Sequence, residues 1–331
     1  MGSGTGSVES MEIMNNNKQE TIVVTGANGF LGLALCKKLL EYEKYVIAVV
    51  RENADITVFQ DMSKRHNFRI CYCDMKDYRN LEQRIKEDSV DVIYHLAWSG
   101  TSGELRGDYN VQNNNYLYSC DLLMTAKRMN CRMFVFASSI MEFEVKKAME
   151  MKLSIPCSSV YSMMKGVTAD MLACLAAIHK IGFIKLIISN VYGPGEYSER
   201  LINTSIRKMI NGEHCAYTEG TQMYDFIYIS DAVEAFVRAA FNGNENETYY
   251  IGSLNPKPLR EYLLKVQQIV CPAEPIALGE IDFTGVSLDY QEFDIQKLNR
   301  DTGFEPQIDF EEGIYDTMNW IKEMNHGTDS L

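Results

Sequence analysis

The sequence predicts an α/β fold: a doubly wound parallel sheet with a smaller mixed α/β lobe after it. Short β-branched or apolar runs alternate with helical patterns through roughly the first 190 residues. The first of these runs leads into a glycine-rich turn and then into a helix, an order typical of sheets that bind ligands at the carboxyl ends of their strands. Beyond residue 190 the alternation loosens, which indicates the second lobe.

The first strand and its turn predict a dinucleotide site. Residues 21–25 read as a buried strand, Gly26, Gly29 and Gly32 follow at intervals of three, and residues 31–40 carry a helical leucine pattern. Glycines let backbone N–H groups approach a phosphate closely, and the positive end of the helix dipole favours its charge. A turn that needed only a positive φ would not require three glycines.

The composition excludes several classes of protein. The chain has 331 residues, 46% of them hydrophobic, and a formal net charge of -13. Nucleic-acid binding usually requires a basic face, so we expect no nucleic-acid partner. No apolar run is long enough for a membrane span and the first residues show no signal-peptide pattern, so we expect no membrane partner. The nine cysteines lack zinc-type spacing, so we expect no metal and free thiols in the cytoplasm. We read residues 1–18 as a tag remnant and disordered tail.

The end of the second strand bears on the choice of coenzyme. Residues 45–50 are an apolar strand that ends at Val50-Arg51-Glu52, with Val50 near the place where an acid often holds the adenosine ribose. A guanidinium there can pair with a 2′-phosphate, which a carboxylate would repel. We therefore favour NADP(H) and keep NAD(H) as possible, since Arg51 could be a solvated charge while Glu52 takes the acid's place.

Three more strands are predicted in the first half, at residues 68–73, 90–96 and 133–137. Asp74 ends the first of these, where its carboxylate could accept from the adenine amino group, cap the following helix near residue 79, or do both. His95 lies inside an apolar strand, so we read it as a packed core imidazole.

A tyrosine and a lysine four residues apart predict proton-transfer chemistry. Tyr161 and Lys165 lie in a long helical pattern over residues 158–182, and the i, i+4 spacing puts both side chains on one face. A nearby ammonium stabilises a phenolate, and the lowered tyrosine pKa suits proton donation near neutral pH. Ser138 and Ser139 end the fifth strand about twenty residues earlier, at the edge where such sheets bind ligands.

These residues, taken in order, resemble the extended short-chain dehydrogenase/reductase family, the group of NAD(P)-dependent nucleotide-sugar epimerases, dehydratases and 4-ketoreductases. The matching pieces are residues 25–32 (TGANGFLG), Asp74, His95-Leu96-Ala97, Asn115, Ser138-Ser139, Tyr161 to Lys165, residues 189–194 (SNVYGP) and residues 225–231 (DFIYISD). The resemblance implies a Rossmann-type coenzyme domain over residues 19–190, with a returning segment near 225–252, and a substrate lobe over most of 191–331.

The resemblance also implies roles for individual residues. Tyr161 would be the general acid/base, Lys165 would bind the nicotinamide ribose and lower the tyrosine pKa, and Ser139 (or Ser138) would bond the reacting oxygen. Coenzyme contacts would come from Gly26, Asn28, Gly29, Phe30, Leu31, Gly32, Arg51, Asp74, Met75, Leu96, Ala97, Trp98, Asn115, Ala137, Tyr161, Lys165, Ser189 and Val191. Substrate contacts would come from Ser99, Ser139, Ile140, Met141, Asn190, Arg200 and Tyr224.

Departures from the family pattern narrow the reaction. Ser139 is followed by Ile140 and Met141 rather than the Asp-Glu pair of the sugar-nucleotide dehydratases, so dehydration is disfavoured. Epimerisation of the fucose-synthase type is disfavoured too, because Met141 replaces its cysteine and residues 196–204 hold no histidine. We expect a 4-ketoreductase for a nucleotide-activated 4-keto-6-deoxy sugar. A 4-epimerase is the alternative and a non-catalytic coenzyme-binding protein the second alternative.

Two expectations concern the substrate and the assembly. The family often has an arginine where this chain has Tyr224. We therefore expect the nucleotide diphosphate to be bound instead by Arg200, Arg207 or Arg260, among which the sequence does not choose. The family also often pairs subunits through the two long helices that contain Asn115 and Tyr161, which implies a homodimer.

Overall fold

The computed structural model describes residues 19–156 and 159–328, so the predicted tail and Ser158 lie outside the described residues. The strands are β1 (Thr21–Thr25), β2 (Tyr45–Val50), β3 (Phe68–Tyr72), β4 (Val92–His95), β5 (Met133–Ala137), β6 (Gly182–Ile188), β7 (Asn190–Tyr192), β8 (Met223–Tyr224), β9 (Phe226–Tyr228), β10 (Glu247–Ile251) and β11 (Lys257–Pro258). The α-helices are α1 (Phe30–Glu41), α2 (Leu81–Ile85), α3 (Tyr109–Arg128), α4 (Met141–Glu150), α5 (Ser159–His179), α6 (Leu201–Ile210), α7 (Ile229–Asn242), α8 (Leu259–Val270), α9 (Lys297–Thr302) and α10 (Phe310–Thr328).

Seven parallel strands form the main sheet, in the order β3-β2-β1-β4-β5-β6-β10. The order reverses at β1 and β4, where Ile22 pairs with Val46 on one side and with Val92 on the other. Chain connections leave in opposite directions at such a point, so a crevice opens above the carboxyl ends of these two strands. This confirms the predicted Rossmann-type α/β fold.

Helices cover both faces of the sheet and bury one apolar cluster on each. α1 and α7 pack together on one face, where Leu35 and Phe236 are fully buried. α3 and α5 pack together on the other, where Leu122 and Leu172 are fully buried. Because both faces are covered, the strands read in sequence as continuous apolar runs.

The second lobe has its own core. β7 pairs in parallel with β9, and β8 pairs antiparallel with β11. Helices α6, α8 and α10 enclose a third cluster in which Ile206, Leu263 and Ile314 are fully buried. Between β8 and β9 the fully buried Asp225 accepts hydrogen bonds from the Tyr250 hydroxyl (2.7 Å) on β10 and from the Ser253 backbone N–H (3.0 Å). The lobe is thereby joined to the edge of the main sheet.

The structure differs from the sequence interpretation in a few elements. It contains α4, which we did not predict, although Met141, Val145 and Ala148 have helical spacing and the last two are buried. The helix expected near residue 79 is α2, which begins at Leu81 after a 3₁₀ turn. Helix boundaries depend on local capping, which periodicity does not resolve.

Candidate active site

The turn after β1 has the shape that a bound diphosphate needs. Gly26 has a φ of +68°, and a Cβ there would lie 2.8 Å from the Ala97 backbone nitrogen. A Cβ on Gly32 would lie 2.2 Å from the Gly26 carbonyl oxygen. Gly29 precedes α1 without a capping side chain, and the first turn of α1 contains no acidic residue. The first N–H groups of the helix are therefore available to an anion, and these residues fit a dinucleotide coenzyme.

The ends of β2 and β3 supply the residues predicted for the adenosine. Arg51 is exposed and makes no ion pair within the described residues, whereas Glu52 pairs with Arg84 at 3.4 Å. Asp74 precedes the 3₁₀ turn that begins at Met75 and makes no capping hydrogen bond. Of the two roles open to Asp74, capping is therefore not the one seen in the structure.

His95, at the end of β4, is a core residue. Its Nδ1 lies 2.8 Å from the Thr25 hydroxyl and its Nε2 lies 2.8 Å from the Ser119 hydroxyl. Because Ser119 donates to the Asn115 carbonyl (2.7 Å), the histidine donates through Nε2 and accepts at Nδ1. Burial lowers the pKa of His95 to about 3, and the charge of Lys165 adds to this, so the ring is neutral and carries no proton chemistry.

The loop after β4 is fixed by two buried amides of α3. The Asn115 side chain accepts from the Ser99 N–H (2.9 Å) and donates to the Ser99 carbonyl (2.8 Å). The Gln112 side chain accepts from the Trp98 indole N–H (2.8 Å) and donates to the carbonyls of Gly100 and Leu105 (3.0 and 2.8 Å). The Asn115 side-chain amide is thus engaged with the backbone of this loop. The sequence reasoning missed Gln112, although it lies one helical turn before Asn115.

The three residues predicted for catalysis converge at the ends of β5 and α5. Tyr161 is buried, and the Ser139 hydroxyl lies close enough to its phenol to lower the pKa of that phenol. The Lys165 ammonium donates to the Ala137 carbonyl (2.7 Å) and lies 4.0 Å from the centre of the Trp98 ring. The Trp98 and Tyr161 rings meet edge to face with centroids 6.3 Å apart. Ser138 instead donates to Glu142 (2.7 Å), which leaves Ser139 as the serine beside the phenol.

The charges around Tyr161 are arranged differently from the expectation. Burial raises the pKa of Tyr161, and the positive charge of Arg200, the hydrogen bond to Ser139 and the charge of Arg106 each offset part of that rise. Burial lowers the pKa of Lys165 to about 7, which the charge of Glu142 partly offsets. The lowered tyrosine pKa that we expected from Lys165 is therefore not seen, and two arginines supply the favourable charge.

Two charged residues were missed from the sequence: Arg106, which contacts Tyr161, and Glu144, which lies close enough to Arg106 to feel its charge. The Arg106 guanidinium carbon lies 4.9 Å from the centre of the Tyr161 ring. Glu144 on α4 is half-buried, and burial raises the pKa of its carboxyl while the charge of Arg106 lowers it. Arg106 lies in a loop without a motif, and Glu144 lies on a helix that we did not predict. Neither carried a signal in the sequence.

Most of the residues predicted to contact the substrate already have partners within the protein. Arg200 precedes α6, pairs with Glu196 at 2.9 Å and is close enough to lower the pKa of Tyr161. Arg207 donates to the carbonyls of Glu196 and Ser198 (3.2 and 2.8 Å), which occupies its guanidinium. Asn190 donates to the Asp225 carbonyl (3.2 Å), and Tyr224 stacks on Phe226 with ring centroids 5.7 Å apart. Met141 Sδ accepts from Arg106 (2.8 Å), and Ile140 is buried with Ile187 and Tyr250.

No helix in the described ranges is long and apolar enough to span a membrane. Among the same residues, the cysteines are free thiols, and no group of three or more histidine, cysteine or acidic side chains could hold a metal ion.

Comparison with known proteins agrees with this arrangement. The NAD dependent epimerase/dehydratase family matches residues 22–252. CDP-abequose synthase of Salmonella typhimurium is 24% identical over 89% of this chain and 96% of its own length. UDP-glucose 4-epimerase of Thermotoga maritima, solved with UDP-glucose, superposes with a TM-score of 0.75 at 21% identity over 92% of this chain and 99% of its own. UDP-glucuronic acid 4-epimerase of Bacillus cereus, solved with NAD, superposes with a TM-score of 0.74 at 21% identity over 93% of this chain and 98% of its own. The chain is therefore an enzyme of the short-chain dehydrogenase/reductase type and belongs to the NAD dependent epimerase/dehydratase family.

Proposed function

We propose that this enzyme uses NADPH to reduce the 4-keto group of a nucleotide-activated 4-keto-6-deoxy sugar. The observation that carries the proposal is the end of β2, where Arg51 is exposed and forms no ion pair with any described residue, while Arg84 pairs with Glu52 at 3.4 Å. Such a guanidinium suits the 2′-phosphate that distinguishes NADPH from NADH, and the adjacent Glu52 carboxylate is already engaged. A reductase consumes reduced coenzyme, and NADPH is the usual donor.

The residues at the end of β5 and on α5 would perform the acid–base part of the reaction. Reduced nicotinamide supplies a hydride when bound. Tyr161 would give its hydroxyl proton to the sugar oxygen as that oxygen gains negative charge, and Ser139 would hold the oxygen in line by a hydrogen bond. Lys165 would hold the coenzyme ribose. The burial of Tyr161 and Lys165 keeps water away from the transfer.

The surroundings of Ser138 support reduction over dehydration. Glu142 is fully buried, accepts from Ser138 (2.7 Å) and forms an ion pair with Lys185. Its carboxylate is thus committed to a structural cluster behind the strand end and is not free to protonate a leaving hydroxyl. Ile140 is buried in an apolar cluster, so it supplies no acid either.

The proposal is tested by coenzyme oxidation across a panel of nucleotide-linked 4-keto sugars, with NADPH and NADH side by side. We expect turnover with NADPH and one or more of these sugars. Arg51→Met should raise the KM for NADPH about ten- to a hundredfold and leave that for NADH within about twofold, because one charge-assisted contact to phosphate is lost. The control is Lys64→Met, another exposed cation, which pairs with Asp61. Equal effects on both coenzymes would contradict the 2′-phosphate assignment.

A 4-epimerase remains the second candidate because two structures of the same fold are described as UDP-glucose and UDP-glucuronic acid 4-epimerases, the latter with NAD. An epimerase recycles its coenzyme, so the purified protein would retain NAD and interconvert nucleotide sugars without net NADPH oxidation. Release of bound coenzyme by heat, followed by its identification, separates the two reactions.

We propose further that the enzyme is a cytoplasmic homodimer in which α3 and α5 meet their copies. Val167, Met171 and Ile178 lie along α5 and are 42%, 38% and 71% exposed, and Leu117 on α3 is 45% exposed. Four large apolar side chains on adjoining helices form a face that a second copy would cover. We also propose residues 19–190 with 225–252 as the coenzyme domain and most of 191–331 as the substrate lobe.

A further inference from the structure

Arg106 is held rigidly in the loop between β4 and α3. It ends a 3₁₀ turn, Glu104–Arg106, whose Leu105 carbonyl accepts from the buried Gln112 amide (2.8 Å). Gly100, at the start of the loop, has a φ of +69°, and a Cβ there would lie 2.7 Å from the same carbonyl. The loop backbone next to Arg106 is thus fixed by packing and by a hydrogen bond, and this determines the direction in which the guanidinium extends.

The guanidinium of Arg106 contacts an aromatic ring and a thioether rather than an acidic side chain. Its carbon lies 4.9 Å from the centre of the Tyr161 ring, and Nη2 lies 2.8 Å from the Met141 sulfur. Its Nε is buried without a hydrogen-bond partner, and the side chain makes no ion pair with any described residue. An aromatic face and a thioether are weak partners for a guanidinium, so the contact with the Tyr161 ring is the interaction of Arg106 that most needs a functional explanation.

We propose that Arg106 is a positioning residue that stabilises the phenolate form of Tyr161 through the contact of its guanidinium with the ring. The inference rests on the proposed function only in so far as Tyr161 is the acid/base. In the step, the tyrosine O–H bond breaks, its proton bonds to the sugar oxygen, and the electron pair stays on the phenolate. A cation fixed beside the ring lowers the energy of that product and of the transition state leading to it.

Other charged and titratable groups face Tyr161 from the surrounding elements. Arg200 approaches from the start of α6, Ser139 from the end of β5 and Glu142 from α4, and Lys165 lies one turn along α5. Arg200 is already paired with Glu196 at 2.9 Å and its side chain is 51% exposed, so water and the carboxylate screen its charge. Arg106 is partly exposed and the Glu144 carboxyl lies close enough to feel its charge, but Arg106 forms no ion pair among the described residues. Because its guanidinium contacts the Tyr161 ring itself, its removal should register directly at Tyr161.

The test follows the ionisation of Tyr161 itself, in the full-length protein with fluorotyrosine in place of tyrosine. The ¹⁹F resonance that disappears in Tyr161→Phe identifies the residue, and its titration reports the phenol whether or not a substrate is known. Arg106→Met removes the charge and keeps an unbranched apolar stem, and Arg106→Lys keeps the charge but not the planar group. Arg300→Met, which removes an exposed arginine paired with Asp294, is the matched control.

We expect Arg106→Met to move the Tyr161 titration to higher pH, Arg106→Lys to restore most of the shift, and Arg300→Met to leave it in place. Once an active substrate is found, kcat of Arg106→Met at neutral pH should fall about tenfold, with KM for the nucleotide sugar within about twofold. In the oxidation direction, which needs the phenolate, the activity limb that rises with pH should move upward as well.

The inference is overturned if Arg106→Met leaves the Tyr161 titration unchanged, or if both Arg106 variants shift it equally. A variant that raises only KM would assign Arg106 to substrate binding and would overturn it too. Failure of the proposed reaction looks different: the ¹⁹F titration would still respond to Arg106 while no 4-keto sugar was reduced.

Discussion

The substitution Lys165→Met should make the protein more stable while it abolishes turnover. The Lys165 side chain is 4% exposed, and its ammonium is met by a carbonyl at 2.7 Å and by the faces of Trp98 and Phe136 at 4.0 and 5.0 Å. Burial lowers its pKa to about 7 from an ordinary 10.5, which corresponds to a loss of about 4 kcal/mol of stability at pH 7. Methionine keeps the apolar stem and removes the charge, but loses contacts that contribute about 1–2 kcal/mol. The net gain in unfolding free energy should be about 2–3 kcal/mol at pH 7.

The pH dependence of the unfolding free energy provides a second test of how the Lys165 charge affects stability. Between the folded pKa of about 7 and the ordinary value of 10.5, the unfolded chain binds a proton that the folded protein does not. Wild-type stability from this group therefore rises with pH across that window, by about 2 kcal/mol between pH 7 and 9, and the variant lacks the rise.

The assay is urea denaturation followed by far-UV circular dichroism at pH 7, 8 and 9, with coenzyme removed. Lys322→Met, an exposed lysine on α10, is the control and should stay within about 0.5 kcal/mol of wild type at each pH. A Lys165→Met protein less stable than wild type at pH 7, or one that keeps the wild-type rise with pH, would refute the reasoning. Either result would mean that the ammonium is solvated or paired.

Three further experiments test the site and the assembly. Tyr161→Phe should bind coenzyme with unchanged Kd by calorimetry yet lose about 10²–10⁴-fold in kcat, and full activity would remove the tyrosine from the mechanism. Gly32→Ala puts a Cβ 2.2 Å from the Gly26 carbonyl oxygen and should weaken coenzyme binding at least about a hundredfold; Gly166→Ala, whose Cβ meets only an ordinary 3.5 Å contact, should fold and bind coenzyme normally. Val167→Glu combined with Ile178→Glu should yield monomers in sedimentation velocity if α5 forms the dimer contact, and an unchanged dimer would place the contact elsewhere.

Much of the fold could be predicted because its signals are local. The glycines after β1 and the four-residue spacing of Tyr161 and Lys165 are readable from short stretches of sequence, since strand and helix periods are properties of the backbone. α4 and the loop after β4 were harder, because their conformation depends on what they pack against. Gln112 shows the difficulty: a glutamine in a helix reads as surface, yet it is fully buried and bonds three loop carbonyls.

By itself the sequence determined the alternation of strands and helices in the first half of the chain, the phosphate-binding turn and the residues that meet at the strand ends. Only the tertiary structure decided which charges act on Tyr161. Arg106 and Arg200 come from loops distant in sequence, and Lys165, the cation nearest along the chain, is turned toward the Ala137 carbonyl and the Trp98 ring. An electrostatic effect depends on separation in space and on exclusion of water, and both are set only when the lobes and loops have packed.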